Sequence, residues 1–308
     1  MPNSFYEIAI EKTSKGKEAN AQKKLIDAFT EEAPIYATMP MEEATHDYHH
    51  VFESLVTATG PDIVDLDAPL PLIDSETQVG QTSLSKLGGR IFAGRDKVMP
   101  FGGLANYLNK KVPPCLRETG MSLERNLYYN RFLAAAVRFG NCQSATESPT
   151  DDEGYYSLVA VTWTPGEVSG LYSPLAYGNG KVFEMGMLYG GNICEDARGV
   201  EGYKASVRTM LGVLLENPKR VGAIVNIGKD LPSEDMIGDM LDSVRANGST
   251  RLYCHRKLMR RIGTQYSHLV SRNDFVMLDR KMITLSFNEV PFIASFNLLD
   301  GTEGAVHL

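Results

Sequence analysis

Residues 155–172 read YYSLVAVTWTPGEVSGLY. From Tyr155 to Trp163 apolar side chains fall on both alternating faces, which predicts a strand with no side turned to water. Such a strand lies inside a sheet covered on both faces. The next four residues, Thr164-Pro165-Gly166-Glu167, put proline and glycine where a type II turn needs them. They predict a hairpin that returns through Val168–Tyr172.

Toward the N-terminus, the polar run Asn141–Gly154 separates this strand from an amphipathic helix at Met121–Phe139, which Pro113 and Pro114 precede. Leu123, Leu127, Ala134 and Val137 form one apolar line; Tyr128, Phe132, Ala135 and Phe139 form a second. Arg117, Glu124, Arg131 and Arg138 recur every seven residues and predict one polar stripe. Two extended runs stand further upstream. Thr45–Thr57 places His46, Tyr48, His50, Phe52 and Val56 on one face, and Thr77–Met99 is rich in Ser, Thr and Gln. Between them, Gly60, Pro61, Pro69 and Pro71 break the chain around Asp62, Asp65 and Asp67. The two runs predict one long hairpin that leaves the body. A lone two-stranded ribbon is only marginally stable in water, so this one needs a neighbour to lie on. A first amphipathic helix, 17–32, carries Ala21, Leu25, Ala28 and Phe29 at helical spacing and ends at Pro34.

Toward the C-terminus, Gly178–Gly191 is a glycine-rich loop region, followed by strand-like runs at Tyr203–Leu215 and Val221–Ile227. Ser233 caps a helix with Glu234 and Asp235 in its first turn. Met236, Ile237, Met240, Leu241 and Val244 make its inner face, and Asn247-Gly248 ends it. Arg251–Cys254 predicts a short strand, Arg256–Ile262 a short helix, and Ile283–Phe287 and Val290–Phe296 the closing strands. Helices and strands mix without a regular βαβ alternation, which predicts the α+β class.

Charge is laid out in blocks. Leu25–Ser85 contains no Lys or Arg and twelve Asp and Glu, whereas Lys86–Gly140 has ten Lys and Arg against three acids. Adjacent blocks of opposite sign suggest that one surface meets the other, within the chain or between copies of it. A solvated acidic face is the alternative. The net charge of −7 and a pI near 5.5 argue against tight direct binding to nucleic acid, which rests on cations neutralising phosphates. Cys115, Cys142, Cys194 and Cys254 lie far apart without zinc-site spacing and predict reduced, mostly buried thiols. The N-terminal Met-Pro-Asn-Ser-Phe has no basic head or apolar run, so no signal peptide is expected. No apolar run approaches the ~20 residues of a bilayer span. The 308 residues suffice for two domains, or for one core with large excursions.

Catalytic and metal-binding patterns are weak. In His46-Asp47-Tyr48-His49-His50, a strand would send His46 and His50 to one face and Asp47 and His49 to the other. Asp62, Asp65 and Asp67 lack the ordered glycine and terminal glutamate of a calcium loop. Gly178-Asn179-Gly180-Lys181 lacks the upstream glycine of a phosphate loop, Ser83-Leu84-Ser85-Lys86 lacks the partners of a Ser-x-x-Lys nucleophile, and Cys254-His255 point opposite ways on a strand. No catalytic residue, cofactor or metal site is expected.

The order of elements resembles the major capsid proteins of tailed bacteriophages with the Hong Kong 97-type fold, especially those of short-tailed phages. The clearest local match is Val161-Thr162-Trp163-Thr164-Pro165-Gly166-Glu167-Val168-Ser169-Gly170-Leu171-Tyr172. Leu87-Gly88-Gly89 resembles the returning hairpin strand, Tyr203–Ile227 a long paired-strand region, Arg251–Arg256 a strand-to-helix step, and Val290-Pro291-Phe292 the final strand. Tyr203–Leu215 departs from that group in lacking the aromatic-rich run many members carry. The resemblance implies an N-terminal arm (1–44), an extended loop (45–99), a peripheral domain with a spine helix and sheet (100–227, a span left open to part of the axial domain), an axial domain (228–275) and C-terminal strands returning to the body (276–308). It implies a structural, non-enzymatic subunit of an icosahedral head, commonly T=7, built from hexamers and pentamers around double-stranded DNA. Scaffolding-protein and portal partners come with that role, which leaves room for a decoration protein. The virion, assembled in the host cytoplasm, is the expected location, without a membrane. An encapsulin-like compartment shell and a cytosolic α+β oligomeric enzyme are the alternatives. Combined with the charge blocks, the resemblance places the acidic hairpin over a neighbour's basic region, with Asp62, Asp65, Asp67 and Glu76 near Arg117, Arg125 and Arg131.

Overall fold

The computed structural model describes residues 17–61, 63–64, 69–70, 72–150, 153–173, 182–267, 270–277 and 280–308. Helix α1 (Lys17–Thr30) buries Gln22, Ile26, Ala28 and Phe29, while Ala21 is exposed. Leu25 packs half-buried against the same core, so the inward face is the predicted one except at Ala21. Gln22 is buried in its place: its side-chain amide bonds both the N–H and the C=O of Phe183, a buried amide satisfied as backbone would be. Pro34 starts a short helix α2 (Pro34–Thr38), its ring fixing the first helical φ. Strand β1 (Met41–Glu43) follows.

The hairpin is built from β2 (His49–Thr59) and β3 (Asp74–Ser83), paired from His49↔Ser83 to Thr59↔Asp74 with a bulge at Val56. The predicted returning run, Thr77–Met99, divides at Leu84. Its second half is a separate strand, β4 (Ser85–Gly94), which pairs along its length with the body. Leu84 is the pivot because it is buried with Ala44, Leu171, Met210 and Leu214.

The long helix starts well before the predicted Met121. Helix α3 (Leu104–Leu127) includes Pro113 and Pro114, continues through a wide π turn at Tyr128–Leu133, and closes with Ala134–Arg138. Prolines at these positions deprive the carbonyls of Asn109 and Lys110 of their helical donors. Both residues are exposed, so their carbonyls are not sealed from solvent. Gly120 lies where α1 crosses: a Cβ there would stand 2.2 Å from the carbonyl oxygen of Phe29.

The remaining strands are β5 (Cys142–Ser144), β6 (Tyr156–Thr162), β7 (Val168–Tyr172), β8 (Phe183–Met187), β9 (Cys194–Glu195), β10 (Glu201–Leu215) and β11 (Val221–Ile227). After helix α4 (Glu234–Ser243) come β12 (Thr250–His255), helix α5 (Arg256–Gln265), β13 (Val270–Met277), β14 (Arg280–Phe287) and β15 (Val290–Ser295). One sheet has the order β1-β7-β10-β4, with β8 and β9 also on β10. A seven-stranded sheet has the order β13-β14-β15-β12-β6-β11-β5. It draws on segments 100–227, 228–275 and 276–308 alike.

The strand read as doubly covered is β6, and its side chains divide as expected. Val159 and Val161 join Leu127, Tyr128, Phe132 and Ala136 of the long helix in one core. Leu158 and Ala160 face a second core with Ile237, Leu241, Leu258 and Ile262 of α4 and α5. The turn after it is also as read, with Gly166 at φ +80 and Glu167 N–H bonding Thr164 O. The hairpin is not. β6 and β7 enter different sheets and share no ladder; an isolated bridge at Thr164↔Val168 closes the turn between them. A tight turn fixes direction locally, but here Trp163, buried and donating to the Tyr253 hydroxyl at 2.8 Å, turns the chain into the body.

Candidate assembly surface

The ribbon β2–β3 pairs with no other strand among the described residues. Ten residue pairs make it roughly 30–35 Å long. Near its base Phe52 lies over Gly80, its ring 2.7 Å from where a Cβ would sit, and leans on the small core around Leu84. Beyond that the surface is bare. Leu55 is 62% exposed and Val79 64%, and Ile63, Leu70, Leu72 and Ile73 are exposed too. Apolar side chains on a strand pair without a covering layer mark a surface that another molecule covers.

Of the residues assigned to an intersubunit contact, Asp62, Asp65 and Asp67 lie outside the described residues. Glu76 is exposed on β3, within 3.4 Å of the Thr57 hydroxyl. Arg125 and Arg131 are exposed on the long helix. Arg117 already has a partner, since two of its nitrogens lie 2.6 Å from Glu31 Oε2. Part of the acidic block is thus bound internally. Glu42 likewise accepts from the Gly166 N–H at 3.0 Å and the Ser169 hydroxyl at 2.5 Å.

The predicted stripe of Arg117, Glu124, Arg131 and Arg138 is broken at Glu124, which is fully buried. Its carboxylate accepts from Ile35 N–H at 2.7 Å, Ser295 Oγ at 2.7 Å and the Asn297 amide. One side chain of the long helix therefore ties down both the segment after α1 and the C-terminal segment. Burial pushes its carboxyl up to about 7, although all three hydrogen bonds pull the other way. Glu303, buried and bonded by Tyr129 Oη at 2.7 Å, is pushed up to about 7 by the same cause. No sequence pattern distinguishes these two glutamates from surface ones. The heptad spacing of Glu124 pointed to the opposite environment.

His46 and His49 stack at 4.5 Å, outside the strand geometry expected for them. Among the described residues no group of three His, Cys, Asp or Glu converges on a metal position. Cys254 is buried, Cys142 and Cys194 are half-buried and Cys115 is exposed, all four as free thiols. No described helix is long and apolar enough to cross a membrane.

No protein-family model matches the chain, and no curated protein is similar to it. Its fold, however, follows a chain in the near-atomic cryo-EM structure of bacteriophage Epsilon15. The two match over 86% of this chain and 87% of that one, with a TM-score of 0.52 at 13% identity. The chain has the fold of a tailed-phage major capsid protein. Lower-scoring likenesses include the capsid of bacteriophage JBD30 (9% identity, 83% and 88% of the two chains, TM-score 0.47). The holo-SrpI encapsulin complex of Synechococcus elongatus PCC 7942 also matches (8% identity, 63% and 87%, TM-score 0.43). Within this capsid fold the Trp163–Gly166 turn, the ribbon and the long helix stand in the order the sequence predicts.

Proposed function

We propose that this chain is the major shell subunit of a tailed phage, a structural protein and not a catalyst, many copies of which close around double-stranded DNA. The observation that carries this reading is the ribbon. It exposes apolar side chains over roughly 30 Å, has no covering layer among the described residues, and belongs to a chain with the capsid fold. In this role the ribbon within 45–99 acts as the extended loop, its return β4 lying in the body sheet, and 100–227 serve as the peripheral and 228–275 as the axial domain, the two sharing the seven-stranded sheet. Of the arm expected at 1–44, the stretch Ile26–Met41 packs into the main core and belongs to the body, to which 276–308 return strands. The head has pentamers and hexamers in a T=7 arrangement and forms in the host cytoplasm on a scaffolding protein with a portal, which leaves room for a decoration protein. The ribbon lies over a neighbouring copy, with Asp62, Asp65, Asp67 and Glu76 facing Arg125 and Arg131 there, and Arg117 at the edge of the contact.

Electron microscopy of the purified full chain, alone and co-expressed with the other head proteins of its source, tests this. Closed particles that package DNA through a portal are expected. A stable monomer at high concentration sinks the reading. Particles that instead recover an enzyme as cargo would make this a compartment shell.

A further inference from the structure

Helices α4 and α5 lie on one face of the seven-stranded sheet, where their apolar sides share a core. α4 packs on β11 and β5, α5 on β12 and β15, so β6 runs between them. Their outer sides are opposite in charge. From Leu231 to Val244 there are four acids and no Lys or Arg; from Thr250 to Ser267 there are five Lys and Arg and no acid. With Ile237, Met240, Leu241 and Val244 turned inward, helical periodicity puts Asp235, Asp239 and Asp242 on one stripe directed away from the sheet. All three are exposed, and none pairs with a cation among the described residues. Inward Leu258 and Ile262 likewise turn Arg256 and Arg260 outward on α5.

The other cations of α5 are used at home. Lys257 bonds Asp300, and Arg261 donates to the carbonyls of Gly228 at 2.8 Å and Lys229 at 3.1 Å. Arg256 instead lies 5.2 Å over the ring of Phe296, which is still 68% exposed. The basic side therefore carries an aromatic platform as well as charge.

An acidic stripe and a basic one, side by side on one face, are complementary to the same face of a copy. We infer that α4 of one subunit docks on α5 of another, Asp235, Asp239 and Asp242 meeting Arg256 and Arg260, with Phe296 covered by the contact. This rests on the shell reading only in taking the partner to be a second subunit.

The test compares the wild-type chain with Asp235→Lys/Asp239→Lys/Asp242→Lys, with Arg256→Glu/Arg260→Glu, and with the chain carrying all five changes. Assembly is followed by light scattering and electron microscopy at about 50 mM salt, where surface charge is weakly screened. Each partial variant presents like charges to its own copies, and its assembly rate should fall at least about tenfold. The five-change chain, and a 1:1 mixture of the two partial variants, should return to within about threefold of wild type, because opposite stripes then meet again. Circular dichroism checks the folds, and the milder Asp239→Asn and Arg260→Gln serve as a second pair. Partial variants that assemble like wild type, or that are folded and stay inactive when mixed, overturn the contact while wild-type particles keep the shell reading intact. Wild-type protein that forms no particle overturns the shell reading and this contact with it.

Discussion

Glu124 couples folding to pH through one buried carboxyl. Burial raises it to about 7, so the folded state favours the protonated form, whereas an unfolded chain titrates near 4.5. Below 4.5 both states hold the proton and nothing is lost. As pH rises from about 4.5 to about 7 the folded state carries a growing penalty, which at about 1.4 kcal/mol per unit reaches about 3 kcal/mol. Glu303 adds a second contribution of the same sign. Unassembled wild-type protein should therefore unfold at lower urea at pH 8 than at pH 5, and Glu124→Gln should remove a large part of that difference. An equally steep pH dependence in Glu124→Gln would assign it elsewhere. Nothing in the sequence flagged this residue, because burial is set by where Ile35, Ser295 and Asn297 arrive from distant parts of the chain.

At the scale of elements, legibility followed local chemistry. The start of α4 was readable: Ser233 accepts from Met236 N–H, as a cap should. Its inner face is also as read, with Ile237, Met240, Leu241 and Val244 buried. Its end was misplaced at Asn247-Gly248. Arg245 takes the left-handed position at φ 51, and Ala246 N–H closes on Leu241 O, a termination usually given to glycine. Leu241→Ala should cost roughly 2–5 kcal/mol. The measurement is chemical unfolding of the variant, with soluble yield as a second readout; an undisturbed midpoint would mean that the helix face collapses without loss. The long helix was half legible. Pro113 and Pro114 read as its start, but a proline is accommodated inside a helix where the carbonyls it frees lie on exposed residues.

For the whole molecule, the order of elements carried the fold, while strand partnership was less visible. β6 and β7 are joined by a well-formed turn and still part company, and β4 leaves the ribbon after one residue. Both outcomes depend on distant buried partners, Tyr253 for Trp163 and Met210 for Leu84. The charge blocks were plain in the sequence, and two of the acids, Glu31 and Glu42, proved to be bound within the chain. The remaining acids of the ribbon make the intersubunit proposal testable. Reversing Asp62, Asp65 and Asp67 to Lys should impair assembly, and reversing Arg125 and Arg131 to Glu in the same chain should partly restore it. Each exposed pair is worth about 0–1 kcal/mol, so salt should loosen the particle without dissolving it. Normal assembly of the triple variant at low salt, followed by light scattering, would leave those acids as a solvated face.

The π turn at Tyr128–Leu133 sets how the long helix responds to length changes. Removing a residue from an ordinary α-helix rotates everything beyond it by about 100° and takes its apolar side out of the core. Here Leu127 and Tyr128 are buried, and so are Phe132 and Leu133 five residues later, a spacing that only the wide turn brings to one side. The helix carries one surplus residue. Deleting the exposed Asn130 should therefore be absorbed by tightening the turn to α geometry, leaving Ala136 against the sheet. The same deletion at exposed Lys110 should yield insoluble protein, and the soluble fractions of the two variants after expression decide the point.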